Sequence, residues 1–365
     1  MNKEKVIIFG TGKGGIRAYH NLKEIFDIVE FWDNNKEKDG TFIFEIPVTL
    51  PRSTIMNIDK IIICSVYYKE IHHQLTANMK IDYSKIDNEF YYYKKQIQSY
   101  YRSEENNEIK EVMDYLSNHE LDVFNYKFRE KYMDLEIEVF FDEESGFHYV
   151  LYNEKRMYFK KSMTEDEIKN YYKSISKEQD IESPHRYLLD KWHVKKGDVV
   201  IDAGVAEGNF ALSIIDKAEK VFLVESDIEW IEALEKTFSK WKEKVVIIPK
   251  FLSDIVDEEN ITIDEIGKNQ PINYIKLDIE GAEVKALLGG EKSIKGAKDL
   301  KMAVCAYHNQ EDELMISDIL YSYGVETEPS KGYMYFSNKD GGTLCSRTLQ
   351  LRRGLVRGMK EGVML

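Results

Sequence analysis

Three polar side chains at the ends of two predicted strands are the candidates for acid–base chemistry. Asp278 follows the apolar run YIKL, Glu280 lies two residues further on, and His308 follows KMAVCAY. A carboxylate beside a histidine can accept and release protons near neutral pH. The same three groups could gather a divalent cation that lowers the pKa of a hydroxyl, although their spacing does not require one. Each also has a structural explanation: a helix cap for Asp278, a helix-dipole contact for Glu280 and a solvated loop for His308.

A glycine-containing turn after the run VVID predicts a nucleoside site. Gly204 and Gly208 have no Cβ, so the backbone can turn sharply and approach a ligand there. Glu225 ends the next apolar run, 21 residues after Gly204, the position of an acid that binds ribose hydroxyls. The loop carries two acids, Asp202 and Glu207, and no phosphate-binding lysine. It therefore favours S-adenosylmethionine over a dinucleotide, with a packing turn as the alternative.

A second glycine turn lies near the N-terminus. Gly10, Gly12 and Gly15 separate the run KVIIF from the helical pattern IRAYHNLKEIF, and Asp33 follows 23 residues after Gly10. This spacing satisfies most of a dinucleotide-binding fingerprint, which is a weak signal without further context. The turn predicts a possible second nucleotide site, and the alternative is a scaffold that docks a partner subunit.

The elements that position these residues form two α/β series. Apolar runs alternate with helical patterns, which predicts two Rossmann-like domains with parallel sheets. We assign residues 1–95 to the first domain, 96–135 to a helical connector and 136–365 to the second domain. Residues 136–159 alternate with a period of two and predict a small antiparallel meander.

Composition and charge exclude several classes of protein. The chain has 365 residues, with 51 Lys and Arg against 65 Asp and Glu, a net charge of −14 that disfavours nucleic-acid binding. It has no run of 18 apolar residues and no signal-peptide pattern, so we expect a cytoplasmic protein without membrane insertion. Cys64, Cys305 and Cys345 are too widely spaced for a disulfide framework or a zinc site and are interpreted as packing thiols. The remaining partner expectations are a small-molecule or glycan acceptor and a possible homo-oligomer.

A basic cluster near the C-terminus stands out in this acidic chain. It comprises Arg352, Arg353, Arg357 and Lys360. These cations could meet a phosphorylated acceptor, or they could form a solvated strand face.

The C-terminal motifs resemble the FkbM-type methyltransferase family, a branch of the S-adenosylmethionine-dependent Rossmann-like enzymes. The segments DVVIDAGVAEGNFAL, VFLVESD, FLSD and YIKLDIEGAEVKALLGG carry the resemblance, over about residues 140–355. It implies a class I methyltransferase fold for the second domain. It also implies cofactor contacts along the predicted sheet edge: Asp202, Gly204 and Gly208 at the methionine part, Glu225 at the ribose, and Ser253 with Asp254 at the adenine. His185, in the motif SPHRY just upstream, could fold over the cofactor or hold an acceptor anion, or pack at a helix end.

The resemblance implies O-methylation, often of sugar hydroxyls on polysaccharides, glycolipids or secondary metabolites. The N-terminal segment FWDNNKEKDGTFIFEIPVTLP similarly resembles nucleotide-binding-like domains of bacterial surface-polysaccharide enzymes. One alternative is an oxidoreductase that uses NAD(P) at the N-terminal loop. Its weakness is that the one Tyr-x-x-x-Lys pair near that loop, Tyr91 and Lys95, falls in what we expect to be a polar linker. The other alternative is a non-catalytic nucleotide-binding assembly module.

Overall fold

The computed structural model describes residues 3–65, 67–336 and 351–361, and these form two compact units. The first unit runs to Asn125 and includes the described part of Tyr335–Leu351. The second contains Tyr126–Met334 and the described part of Arg352–Leu365. No helix among the described residues is long and apolar enough to cross a membrane.

The described residues up to Asn125 contain six strands and four α-helices. The strands are β1 (Lys5–Phe9), β2 (Asp27–Trp32), β3 (Phe42–Ile43), β4 (Ile46–Thr49), β5 (Lys60–Ile63) and β6 (Ile86–Asn88). The helices are α1 (Lys13–Leu22), α2 (Tyr68–His73), α3 (Glu89–Tyr100) and α4 (Asn107–Asn118).

The strands of the first unit form one sheet in the order β3-β4-β2-β1-β5-β6. All neighbouring pairs are parallel except β3 with β4. The central strands β1 and β5 are buried on both faces because their apolar runs, VIIF and III, are covered by helices. Tyr91 and Lys95 lie on α3, so the expectation of a polar linker there is wrong; a capped start at Asn88 makes this segment helical.

The second unit begins with a three-stranded antiparallel sheet, which confirms the predicted meander. Its strands are β7 (Phe140–Asp142), β8 (Phe147–Tyr152) and β9 (Lys155–Tyr158). The further strands are β10 (Val199–Ala203), β11 (Lys220–Val224), β12 (Val245–Ile248), β13 (Phe251–Leu252), β14 (Asn260–Ile261), β15 (Tyr274–Leu277), β16 (Leu300–Cys305), β17 (Glu326–Pro329), β18 (Met334–Tyr335), β19 (Leu351–Arg352) and β20 (Leu355–Lys360).

The helices after the meander alternate with these strands. They are α5 (Glu165–Glu178), α6 (Asn209–Ile214), α7 (Ile228–Thr237), α8 (Ile263–Ile266), α9 (Glu283–Leu288), α10 (Glu291–Gly296) and α11 (Asp312–Ser322). Short 3-10 or π turns occupy Lys36–Lys38, Gln74–Asn78, Tyr83–Lys85, Lys127–Tyr132, Ser239–Trp241 and Gly267–Asn269.

In the part of the second unit that the structure describes, the main sheet has seven strands in the order β12-β11-β10-β15-β16-β20-β17. The first five are parallel, and β20 is antiparallel to both of its neighbours. Successive residues of β10 belong to two different apolar clusters, so each face of the sheet carries its own core. The predicted α/β class with parallel sheets is confirmed.

The cysteines that the structure describes, Cys64 and Cys305, are buried free thiols. Cys345 lies outside the described residues.

Candidate functional site

Two glycines shape the loop that follows β10. Gly204 has a φ of +68°, and a Cβ at this position would lie 1.7 Å from the carbonyl oxygen of Asp278. Gly208 has a φ of +83°, and its Cβ would lie 2.9 Å from a methyl group of Leu234. Because β10 and β15 are neighbours, the loops at their carboxyl ends touch through the backbone, and only glycine permits that contact at residue 204.

Glu225 ties this loop to the end of β11. Its carboxylate accepts hydrogen bonds from the amides of Ala206 at 3.0 Å, Ser226 at 2.8 Å and Asp227 at 2.9 Å. Ala206 itself has a φ of +47°, a left-handed conformation that this contact helps to maintain. Glu225 is half-buried, so its carboxylate stays within reach of a ligand at the carboxyl edge of the sheet.

Asp202 is completely buried and faces Lys276, whose Nζ lies 3.1 Å from its carboxylate. Lys276 also donates to the carbonyl oxygens of Gly204 at 2.6 Å and Ala203 at 3.2 Å. Burial would lower the pKa of Lys276, but the charges of Asp202 and Asp278 raise it to about 12. Lys276 is therefore positively charged and holds the backbone of the glycine loop by its hydrogen bonds. Asp202 stabilises that loop indirectly, by pairing with Lys276.

Glu207 is also buried, and the hydroxyl of Tyr171 on α5 donates to it at 2.8 Å. Burial raises the pKa of Glu207. At the end of the same helix, burial and the nearby charge of Asp278 raise the pKa of Glu178 to about 8. The carboxyl groups of Glu178, Glu207 and Asp278 thus crowd one region, a pattern that is typical of functional sites.

Asp278 is the centre of the site. The hydroxyls of Tyr187 and Tyr307 donate to its two carboxylate oxygens at 2.7 and 3.0 Å. The Nε2 atoms of His185 and His308 lie 3.7 and 3.6 Å from the same two oxygens. Two tyrosines and two histidines therefore surround a single carboxylate at the carboxyl end of β15.

These neighbours determine the charge states at the centre. Burial alone would raise the pKa of Asp278, but His185, Lys276 and His308 lower it well below its usual range, as does the Tyr187 hydroxyl. Burial lowers the pKa of His185 to about 4, so this histidine is neutral at neutral pH. Asp278 is consequently a permanent anion and a weak base, because a general base works best when its pKa is near the working pH.

His308 has a different partner from the one expected. Its Nδ1 lies 3.1 Å from Glu283, whose side chain is fully buried, and the same carboxylate oxygen accepts from the amide of Ile279 at 2.9 Å. Glu280 lies 4.0 Å from Nε2, and its side chain is 67% exposed. Burial would lower the pKa of His308, but the hydrogen bond and charge of Glu283 raise it above its ordinary value.

Two groups of the described residues have the geometry of a metal site. Ligand atoms of Asp278, Glu283 and His308 lie within 4.8 Å of one another, as do those of His185, Asp278 and Cys305. The sequence predicted Glu280 as the third residue of such a group, but in the structure that residue is Glu283. Asp278 faces Nε2 and Glu283 faces Nδ1, so the two carboxylates sit at opposite nitrogens of one imidazole. An imidazole with a carboxylate at each nitrogen is suited to passing a proton from one side to the other, and less suited to binding one metal ion together with both carboxylates.

The basic cluster at the C-terminus supports this site from within the second unit. Arg352 and Arg357 are buried, so the expectation of a solvated strand face is wrong for these two residues. Arg352 donates to the carbonyl oxygens of Tyr307 at 2.6 Å and His308 at 2.9 Å. Arg357 donates to the carbonyl oxygen of Tyr187 at 3.1 Å. These cations compensate backbone acceptors that burial would otherwise leave unpaired.

Ser253 and Asp254, the residues expected at the adenine, lie after β13. The carbonyl oxygen of Ser253 would be only 2.2 Å from a Cβ on Gly289. Asp254 is exposed and lines a surface cavity of about 690 Å³ together with Asp264 and Gly289. The structure therefore packs this loop against the end of α9.

In the first unit, the glycine turn has the close contacts that its sequence requires. Gly10 has a φ of +120°, and a Cβ on Gly15 would lie 1.8 Å from the carbonyl oxygen of Gly10. Asp33 is already occupied: it accepts from the Thr11 hydroxyl, from Lys38 at 3.0 Å and from the amide of Asn35 at 2.9 Å.

Several residues of the site were not predicted from the sequence. Tyr187 follows His185 by two residues, and Tyr307 directly precedes His308. Their closeness in the sequence to these two candidates could have identified them. Glu283 was visible only as a first-turn acid of a helix. Nothing in the local pattern marks Glu178 or Lys276, because their importance depends on burial beside other charged groups.

Two family models match parts of the chain. Residues 195–324 match the family model of the methyltransferase FkbM domain. Residues 2–87 match the model of the C2185-like N-terminal domain. Residues 195–324, which contain the glycine loop after β10, Glu225, Asp278 and His308, are therefore similar to methyltransferase FkbM domains.

Similar solved structures include methyltransferase FkbM from Methylobacillus flagellatus, at 14% identity and a TM-score of 0.49, covering 98% of this chain and 90% of that chain. Precorrin 8w decarboxylase from Methanobacterium thermoautotrophicum is similar at 16% identity and a TM-score of 0.32, covering 46% and 83%. An rRNA methylase from Streptococcus thermophilus is similar at 16% identity and a TM-score of 0.31, covering 46% and 89%. The comparison with curated proteins finds no match.

Proposed function

We propose that the second unit transfers the methyl group of S-adenosylmethionine to a hydroxyl oxygen of a sugar or glycan. The observation that carries this proposal is the pairing of His308 with Asp278 at the carboxyl edge of β15, inside the methyltransferase domain. Ligands of open α/β sheets collect at this edge. A histidine there can take the proton of a weakly acidic hydroxyl.

The loop after β10 fits the expected cofactor. The backbone around Gly204 leaves no room for a Cβ, and Glu225 offers a half-buried carboxylate 21 residues later, suited to ribose hydroxyls. S-adenosylmethionine would supply an activated methyl group that needs no further chemical activation. The remaining task of the protein is to align the acceptor and remove its proton.

The proton step is assigned to His308. A proton on Nδ1 facing Glu283 leaves Nε2 as an acceptor, and this nitrogen is directed towards the centre of the site. His308 would take the proton of the acceptor hydroxyl at Nε2, and the bound cofactor would supply the methyl group to that oxygen and keep the electron pair of the broken carbon–sulfur bond on sulfur. Asp278 stays ionised throughout and compensates the imidazolium that forms.

The charges around the centre favour a neutral acceptor. Asp278 and Glu280 present carboxylates, while Arg352 and Arg357 are buried and engaged with backbone carbonyls. A phosphate beside these carboxylates would be repelled, whereas sugar hydroxyls can donate hydrogen bonds to them. Together with the family resemblance, this supports a sugar hydroxyl as the methylated group.

Replacing Glu225 with Ala is expected to weaken binding of S-adenosylhomocysteine by about tenfold to a hundredfold, because a hydrogen bond to a charged group contributes roughly 1.5–3 kcal/mol. Isothermal titration calorimetry measures the effect. Glu235→Ala, on the exposed side of α7, is the matched control and should bind like the wild type. Equal affinity of Glu225→Ala and Glu235→Ala would remove Glu225 from the cofactor site.

Carbon-13 methyl-labelled S-adenosylmethionine tests the reaction itself. Incubation with neutral sugars, oligosaccharides and sugar phosphates should label neutral acceptors, and the carbon-13 resonance should be that of a methyl ether. Labelling on nitrogen or carbon, or a clear preference for phosphorylated acceptors, would refute the proposed acceptor class.

The pH profile of methyl transfer should depend on Glu283. His308 acts as a base only when neutral, so the rate rises as pH passes its pKa, which the Glu283 carboxylate raises. Glu283→Gln removes that charge, lowers the pKa of His308 and should shift the acidic limb of kcat/KM to lower pH. Glu280→Gln is the control, because an exposed carboxylate at 4.0 Å is screened by water. An unmoved limb in Glu283→Gln, or equal shifts in both variants, would contradict the assignment.

A further inference from the structure

The first unit contains a cavity of about 780 Å³ at the carboxyl edge of its own sheet. Its walls come from the ends of β1, β2 and β5 and from the first turns of three helices. The chain passes from β1 to β2 on one side and later returns to β5 on the other side of β1, so the strand order reverses there. Ligands of open α/β sheets bind at such a reversal, and the volume is that of a small-molecule site.

The backbone at the start of α1 is open to this cavity. Gly12 is the residue before the helix, and no side chain caps the first turn. A Cβ on Gly14 would lie 2.7 Å from the carbonyl oxygen of Cys64, so the turn is packed tightly against the end of β5. The unpaired amides of a helix start attract anions, since they carry partial positive charge.

Two cations of α1 line the same cavity. Lys13 and Arg17 are four residues apart and therefore share one face of the helix. Arg17 donates through Nη2 to the buried carboxylate of Glu89 at 2.7 Å, which fixes the guanidinium at the cavity wall. Because the Arg17 side chain is 27% exposed and lines the cavity, its guanidinium can also donate to a phosphate oxygen there.

The rest of the cavity lining differs from the lining of a dinucleotide site. Asp33, which would bind the ribose hydroxyls of NAD, is held in an ion pair with Lys38 at 3.0 Å and also accepts from Thr11 and Asn35. Two aromatic rings line the cavity and are exposed, Tyr67 at 66% and Phe90 at 40%. Exposed rings of this kind can stack on a nucleobase.

We propose that this cavity binds a nucleoside diphosphate. The two phosphates lie against the first turn of α1, Lys13 and Arg17, and the base packs against Tyr67 and Phe90. The site is separate from the methyltransferase domain and does not depend on the reaction assigned to it.

Gly12 provides a sharp test of this proposal. A Cβ at Gly12 meets nothing within 4 Å, so substitution there is sterically allowed. Gly12→Asp places a carboxylate where the phosphates would lie, and it also supplies a favourable helix cap. Its melting temperature should equal or exceed that of the wild type, while nucleotide affinity falls at least tenfold. Gly12→Ala adds the Cβ without the charge and should lose much less affinity than Gly12→Asp.

The measurement is calorimetric titration of the full chain with UDP, GDP, CDP and ADP, alongside the corresponding nucleosides, inorganic phosphate and NAD. We expect at least one diphosphate to bind, with its nucleoside and inorganic phosphate much weaker, and Arg17→Gln to lose affinity while still binding S-adenosylhomocysteine. The proposal is overturned if no diphosphate binds at millimolar concentration, if NAD or inorganic phosphate binds at least as tightly, or if Gly12→Asp matches Gly12→Ala.

Discussion

Replacing His308 with Gln is expected to slow methyl transfer by about 10²- to 10⁴-fold, the usual contribution of a general base. Glutamine is neutral and can accept a hydrogen bond, but it cannot take the acceptor proton. Affinity for S-adenosylhomocysteine should change little, because His308 lies on the loop after β16, and two strands, β10 and β15, separate β16 from β11, which Glu225 follows. Single-turnover rates at saturating cofactor separate the chemical step from binding.

His193 offers a matched control for this substitution. It is exposed on a loop and contacts the carbonyl oxygen of Asp190. His193→Gln should leave the rate unchanged. A His308→Gln variant that keeps the wild-type rate would exclude His308 as the base and direct attention to Glu178, whose pKa burial raises to about 8.

Replacing Lys276 with Met is expected to destabilise the second unit by about 3–5 kcal/mol. Breaking a buried ion pair from one side leaves the other charge uncompensated. Asp202 is fully buried, and the carbonyl oxygens of Ala203 and Gly204 would also lose their donor. Chemical denaturation followed by tryptophan fluorescence measures the loss, since Trp192, Trp230 and Trp241 all belong to this unit.

Two further variants make this prediction specific. Lys195→Met removes one partner of the exposed pair with Asp299, at 2.8 Å, and should cost less than about 1 kcal/mol. The double variant Lys276→Met/Asp202→Asn removes the stranded charge and should be more stable than Lys276→Met. If Lys276→Met lowered the free energy of unfolding as little as Lys195→Met, the buried pair would not stabilise the glycine loop.

Much of the fold follows from local sequence. The runs VVIDA, KVFLV and YIKL become neighbouring parallel strands, since continuous apolar runs bounded by turns can be buried on both faces of a sheet. The glycine turns at residues 10 and 204 were likewise visible, because a positive φ or a close backbone contact strongly favours glycine.

The contacts between the site residues could not be predicted from local sequence. Glu280 precedes Glu283 by three residues, yet only Glu283 turns inward to His308, because Glu280 lies in a left-handed turn and Glu283 begins α9. The C-terminal arginines also looked like surface cations, and burial among backbone carbonyls became apparent only when β20 was inserted into the sheet.

The sequence by itself determined the two α/β units, the glycine turns and the positions of Asp278 and His308 at strand ends, since these depend on residues close together in the chain. Only the tertiary structure decided the charge states and contacts of those groups. Tyr187 reaches Asp278 across 91 residues, and Lys276 on β15 meets Asp202 on the neighbouring strand β10. Burial and proximity in space set a pKa, and neither can be read from spacing along the chain.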